Sequence, residues 1–186
     1  MTDFSISEGW LSVARRVASP NCDDRPENCS AELLVIHGIS LPPGEFGGPW
    51  IDALFRNELN ADAHPYFGEI QKLEVSAHVL IRRDGEVVQY VPFDRRAWHA
   101  GQSCFEGRER CNDFSIGIEL EGSDDQPYEE VQYRVLAEVC KALLRAYPVL
   151  NPQRIVGHCD IAPGRKTDPG PYFEWQRLRT LLAGNS

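Results

Sequence analysis

Two of the five histidines in this chain follow short apolar runs, Leu33-Leu34-Val35-Ile36-His37 and Ile155-Val156-Gly157-His158. Ligands of open α/β sheets bind in the crevice beyond the strand ends, so histidines closing two buried strands can meet there. One such histidine alone is more often a hydrogen-bonding partner than a metal ligand. A catalytic zinc site takes three protein groups and keeps one position open for water or substrate. Two carboxylates, Asp160 and Asp168, follow His158, and spacing alone does not choose between them. Arg165 and Lys166 in the same loop are cations that either stabilise charge developing on a carbonyl oxygen or form a solvated face. Glu119 interrupts the apolar run Ser115-Ile116-Gly117-Ile118-Glu119-Leu120-Glu121. Buried there without a partner it is costly to ionise, which makes it a salt-bridge member or a general base beside activated water.

The other histidines read differently. His64 precedes Pro65 in a loop and suits surface or turn packing, whereas His78 lies inside a strand as a hydrogen-bonded core residue. His99, in Arg96-Ala97-Trp98-His99-Ala100-Gly101, is a candidate for substrate contact, because a tryptophan beside polar groups suits an amphipathic ligand. The six cysteines read as small buried or surface thiols, since disulfide frameworks belong to small secreted chains. Cys22/Cys29 and Cys104/Cys111 have wider spacings than a structural zinc knuckle and are given no metal role. Cys159 points away from His158 if the strand continues, and is assigned to packing.

Positioning these groups requires a sheet. Glu32–His37 predicts a strand buried on both faces and ending in histidine, between loops at Asn21–Ser30 and Leu41–Pro49. Pro49–Leu59 has helical spacing of Trp50, Leu54, Phe55 and Leu59 after a proline suited to a first turn. Val75–Ile81 and Glu86–Val91 flank Arg82-Arg83-Asp84-Gly85, whose Asp-Gly predicts a hairpin. Ser115–Glu121 is a strand closed by Gly122. Tyr128–Tyr147 is an amphipathic helix with early Glu129 and Glu130 and late Lys141 and Arg145. Arg154–His158 is a short strand, Ile161–Pro171 a loop and Phe173–Leu182 a final helix. The implied architecture is α/β, one domain over residues 1–186 with a central mixed β-sheet flanked by helices.

The chain has 186 residues, 42% of them hydrophobic and 25% charged, enough for one continuous core around a rigid site. A net charge of −9 disfavours a nucleic-acid partner, which needs clustered Lys and Arg. No apolar run approaches the ~20 residues of a membrane span, and Met1–Ser5 lacks the features of a secretory signal, so a cytoplasmic protein is expected.

Several motifs together resemble one family. LLVIHGISLPPGEFGG, VSAHVLIRRDG, RAWHAG, CNDFSIGIELEG and GHCDIAPGRKTDPGP occur in the order found in the zinc-dependent N-acetylmuramoyl-L-alanine amidases, and are most similar to the AmpD type. The resemblance covers about Gly9 to Trp175. It implies Zn2+ held by His37, His158 and Asp168, Glu119 as catalytic acid/base, Lys166 at the oxyanion, and substrate contacts from Trp98 and Arg110. It further implies hydrolysis of the bond between 1,6-anhydro-N-acetylmuramic acid and L-alanine in a muropeptide; a monomer is expected, though no residue pattern sets the oligomeric state. Relatives commonly carry Asn where this chain has Gly38, so a hydrogen bond from that side chain is absent here or supplied by backbone. The family's wider relatives also include wall-lytic amidases and non-catalytic peptidoglycan receptors; Asp168 argues against a receptor.

Overall fold

In the computed structural model, which describes residues 3–184, the alternation of side chains along two seven-residue strands organises the molecule. Leu33–Ile39 and Ser115–Glu121 pair in parallel, with Glu119 opposite His37. Residues two apart in a strand share a face. Leu34, Ile36, Ile116, Ile118 and Leu120 therefore enter one core, under the helices Glu130–Ala146 and Trp175–Ala183. Leu33, Val35, His37, Ser115, Gly117 and Glu119 lie on the other face, where Leu33 and Val35 pack with Ala100, Cys111, Phe114 and Ile161. Leu33 to Ile36 are fully buried, as the unbroken apolar run predicts.

The six-stranded sheet has the order Ile155–Gly157, Leu33–Ile39, Ser115–Glu121, Val79–Ile81, Val87–Gln89, Arg15–Arg16. Its first four strands run parallel, Val79–Ile81 and Val87–Gln89 form the antiparallel hairpin, and Arg15–Arg16 adds a parallel edge. The expected mixed sheet with flanking helices is therefore present. At the hairpin turn Gly85 adopts φ +89°, which Asp-Gly supplies at little cost. A second apolar cluster, with Ile51, Leu54, Phe55, Phe67, Leu80, Val88 and Tyr90, covers the hairpin side. No helix among the described residues is long and apolar enough to cross a membrane.

Several boundaries differ from expectation for identifiable reasons. The strand expected to end at His37 runs to Ile39, because its neighbour keeps pairing as far as Glu121. The strand expected to include His158 stops at Gly157, and His158 opens a helical turn, His158–Ile161, in which Gly157 N donates to Asp160 Oδ2 at 2.7 Å. The Pro49–Leu59 helix is only Trp50–Phe55; Asn57 at φ +61° turns the chain out of it. Within the expected Asn21–Ser30 loop, Cys22–Asp24 is a strand antiparallel to Arg95–Ala97, with Asp23 paired to Arg96. The long helix, Glu130–Ala146, starts at a capping box between Glu129 and Gln132.

His78 stands immediately before the strand Val79–Ile81 rather than inside it, and is fully buried, as expected of a core histidine. Its Nδ1 accepts from Gly117 N at 3.0 Å, so Nε2 carries the proton and donates to Arg95 O at 3.0 Å. Burial, with the nearby Arg25 guanidinium, pushes its pKa down to about 3 from the ordinary 6.5. Because the folded state keeps this ring neutral, its stabilising effect is complete above pH 6.5 and is lost as the pH falls from there toward about 3. Denaturant unfolding between pH 7 and pH 4 is expected to show stability declining with acid, with a shallower slope in His78→Gln. An unchanged slope in that variant would assign the acid sensitivity to other groups.

Candidate metal centre

Parallel pairing puts the C-terminal ends of three adjacent strands at one edge, and the chemistry collects there. His37 comes from the last turn of pleat in its strand, Glu119 stands beside it in register, and His158 follows the neighbouring strand directly. All three are buried, at 2, 8 and 3% exposure. Asp168 reaches the same point because its loop folds back onto the helical turn of His158. Cys159 N donates to Asp168 O at 3.0 Å, fixing that return. Asp160, the alternative carboxylate, caps its own helical turn instead.

His37 Nδ1 lies 3.0 Å from His158 Nδ1 and 3.2 Å from Asp168 Oδ2, and His158 Nδ1 lies 3.1 Å from the same oxygen. With both imidazoles neutral and protonated on Nε2, the three atoms turn their lone pairs to one point, the arrangement that could hold a cation. Tetrahedral nitrogen and oxygen ligands at zinc bond lengths stand roughly 3.3 Å apart, close to these edges. His158 is already set for ligation, because Nε2 donates to Ala100 O at 3.3 Å and leaves the Nδ1 lone pair inward.

The protonation states agree with this donor set. Burial pushes His37 down to about 4, which favours the neutral imidazole. Burial opposes ionisation of Asp168, yet its close polar contacts with His158 and His37 hold it well below the usual carboxylate range. Glu119 behaves oppositely. Burial foremost, then the charge of Asp168, raises it well above an ordinary glutamate, with Lys166 working against the shift. Glu119 Oε2 is buried without a hydrogen-bond partner.

A cleft of about 310 Å³ opens over these groups, bordered by Trp98, His99 and Lys166 on one side and by Leu41, Tyr66, Ile70 and Leu73 on another. The apolar wall has no counterpart in the sequence reading, where His64-Pro65 marked only a loop. Leu73, 48% exposed, is its most accessible large apolar side chain. Trp98 is tethered by Nε1, which donates to Asp23 Oδ1 at 3.1 Å. Arg110 is not part of this cleft. It lines an adjoining groove of about 390 Å³ with Ser103 and Arg165, its side chain 71% exposed and paired with Asp113 at 3.2 Å. His99 touches the cleft but also lies behind His37, Nδ1 to Nε2, at 2.9 Å. All six cysteines are free thiols.

Residues 27–171 match the family model described as N-acetylmuramoyl-L-alanine amidase, a span that includes His37, Trp98, Glu119, His158, Lys166 and Asp168. The chain belongs to that family. Its members hydrolyse the amide that joins muramic acid to L-alanine. This amidase is 62% identical over 181 residues to the 1,6-anhydro-N-acetylmuramyl-L-alanine amidase AmpD of Citrobacter freundii, covering 97% of this chain and 96% of the relative. It superposes on the crystal structure of a selenomethionine AmpD derivative with TM-score 0.93 and 63% identity, covering 95% and 98% of the two chains. It also resembles AmiD of E. coli in complex with anhydro-N-acetylmuramic acid-L-Ala-D-γ-Glu-L-Lys, at TM-score 0.60 and 30% identity, covering 97% of this chain and 66% of that one.

Gly38 has a steric explanation in this amidase. A Cβ there would lie 2.3 Å from the Tyr128 hydroxyl, and one on Gly122 would lie 2.3 Å from the same ring. The hydroxyl uses the cleared space to donate to Pro169 O at 2.9 Å, next to Asp168. Gly38 thus faces the cleft with its backbone, and the ring bolts the Asp168 loop to two strand ends. Gly38→Ala is expected to displace the hydroxyl and cost about 1–3 kcal/mol, the penalty for disrupting a buried hydrogen bond. In a Tyr128→Phe background the same substitution is expected to cost clearly less, as measured by a double-mutant cycle of denaturant unfolding. Strict additivity would dissociate the two residues.

Proposed function

We propose that this amidase is one zinc-dependent domain that releases the stem peptide from 1,6-anhydro-N-acetylmuramyl peptides in the cytosol, as a monomer serving peptidoglycan recycling. The observation that carries the reading is the triangle of His37 Nδ1, His158 Nδ1 and Asp168 Oδ2, a three-ligand set within 4.8 Å beneath an open cleft. The relatives support the choice of sugar: those more than half identical to this chain are amidases of the 1,6-anhydro substrate.

When bound, zinc supplies Lewis-acid polarisation of the scissile carbonyl and lowers the pKa of water from about 15.7 toward about 7. Glu119, in register beside His37, takes the proton of the attacking water on its carboxylate. Its raised pKa lets it hold that proton until the amine departs and then return it, so one residue serves both steps. Lys166, exposed at the rim, offsets the negative charge on the tetrahedral carbon's oxygen. Trp98 offers an indole face to the sugar–peptide junction, and Arg110 a guanidinium to a carboxylate farther along the peptide.

Glu119→Gln is expected to retain one zinc per chain while kcat falls by about 10²–10⁴, the usual worth of a general acid/base. His37→Ala and Asp168→Ala are expected to lose both metal and turnover. Metal analysis beside a peptide-release assay reads both, and wild-type turnover in Glu119→Gln would remove that residue from the chemistry. With zinc-loaded wild type, release of peptide from anhydromuramyl-tripeptide is expected to exceed release from the reducing muramyl form. Equal rates would favour a wall-lytic amidase, and binding without cleavage of either would leave a recognition module.

A further inference from the structure

Every ligand nitrogen in this centre has a second ring nitrogen to satisfy, and the two histidines do so differently. His158 Nε2 turns to a backbone carbonyl, whereas His37 Nε2 meets the Nδ1 of His99 at 2.9 Å, with ring planes at 88° and centroids 5.0 Å apart. On its far side, His99 Nε2 lies 3.1 Å from Ser115 Oγ. We infer that His99 and Ser115 form a relay that fixes the tautomer of His37, making His99 a positioning residue for the metal ligand. The inference rests on a cation being held by His37 Nδ1, as proposed above.

The proton positions follow from that one condition. With the His37 Nδ1 lone pair committed to a cation, the ring's proton sits on Nε2 and needs an acceptor. His99 Nδ1 is the group in contact, and to accept it must be the bare nitrogen. The His99 proton then resides on Nε2 and is donated to Ser115 Oγ, a hydroxyl able to accept. The reverse arrangement, with His99 donating from Nδ1, would force the His37 proton onto Nδ1, against His158 and Asp168. Outer partners of this kind orient metal-bound imidazoles generally.

The surroundings are shaped to hold the ring in this position. Gly117 lies directly beneath it: a Cβ there would come within 2.5 Å of His99 Cγ and 2.6 Å of Nδ1. The His99 backbone is pinned where Asn112 Oδ1 accepts from His99 N at 3.1 Å and from Ala100 N at 2.8 Å. Ser115, Gly117 and Glu119 occupy alternate positions on one face of one strand. The same strand thus provides the end of the relay, the clearance for its ring and the proposed acid/base.

His99→Phe fills the ring's space but removes the acceptor, whereas His99→Asn keeps an oxygen near the position of Nδ1. Zinc affinity, measured by competition with a chromogenic chelator, is expected to fall about 10–100-fold in the Phe variant. The Asn variant is expected to recover most of that loss. In zinc-loaded wild type, ¹⁵N-correlated spectra of the imidazoles are expected to show the His99 proton on Nε2. Wild-type affinity in His99→Phe, a His99 proton on Nδ1, or a changed KM with unchanged zinc affinity would each overturn the inference, the last by making His99 a substrate contact. Should His99→Phe lack a cooperative thermal transition, Ser115→Ala leaves the ring in place. It is expected to weaken zinc binding in the same direction but less, and unaltered affinity there counts against the relay. Failure of wild type itself to bind zinc would instead sink the metal reading, and the inference with it.

Discussion

Three donor atoms held within about 3 Å of one another are the constraint on which the rest of this structure depends. Each of these groups loses hydration on burial, so contacts within the cluster must compensate. The sheet makes the arrangement possible. Parallel pairing aligns the strand ends carrying His37 and Glu119 with the turn carrying His158, and two apolar cores on opposite faces make that alignment rigid. Asp168 alone comes from a loop, and that loop is tied at both flanks, by Cys159 N to Asp168 O and by Tyr128 to Pro169 O.

Glycine has a specific use around the centre. At Gly38 and Gly122 the absent Cβ admits the Tyr128 ring, and at Gly117 it admits His99. At none of the three is the reason a left-handed backbone; the reason is the close approach of a tyrosine or histidine side chain to the backbone. Supporting groups thereby reach the cluster from both faces of the sheet: Tyr128 from the helix side toward Asp168, His99 from the cleft side toward His37. A side-chain cluster supported on both faces keeps its geometry without relying on the ends of long side chains.

One environment sets two carboxyl groups to opposite tasks. Asp168 lies against two imidazole nitrogens and is held below the usual carboxylate range, while Glu119 has one buried oxygen with no partner and holds a proton more readily than an ordinary glutamate. Burial opposes ionisation of both, and only Asp168 has polar partners close enough to outweigh it. Separation of this kind distinguishes a group that holds charge from one that exchanges protons.

The sequence by itself determined the elements and most of the chemistry. Apolar runs before His37 and His158, the Asp-Gly hairpin and the 3.6-residue periodicity of Glu130–Ala146 are local signals, and local signals survive translation into structure. Glu119 was legible because a carboxylate in an apolar strand is anomalous wherever it occurs. Tertiary structure decided what depends on the path of the chain between distant segments. Asp160 and Asp168 are equivalent by spacing, and only the return of the loop onto the His158 turn separates a cap from a donor. His99 read as a substrate contact from its neighbour Trp98, yet the crossing of its segment over Gly117 sets it against His37. The apolar wall of Tyr66, Ile70 and Leu73 gave no sign at all, because its meaning comes from facing His37, His158 and Asp168, which lie far away along the chain.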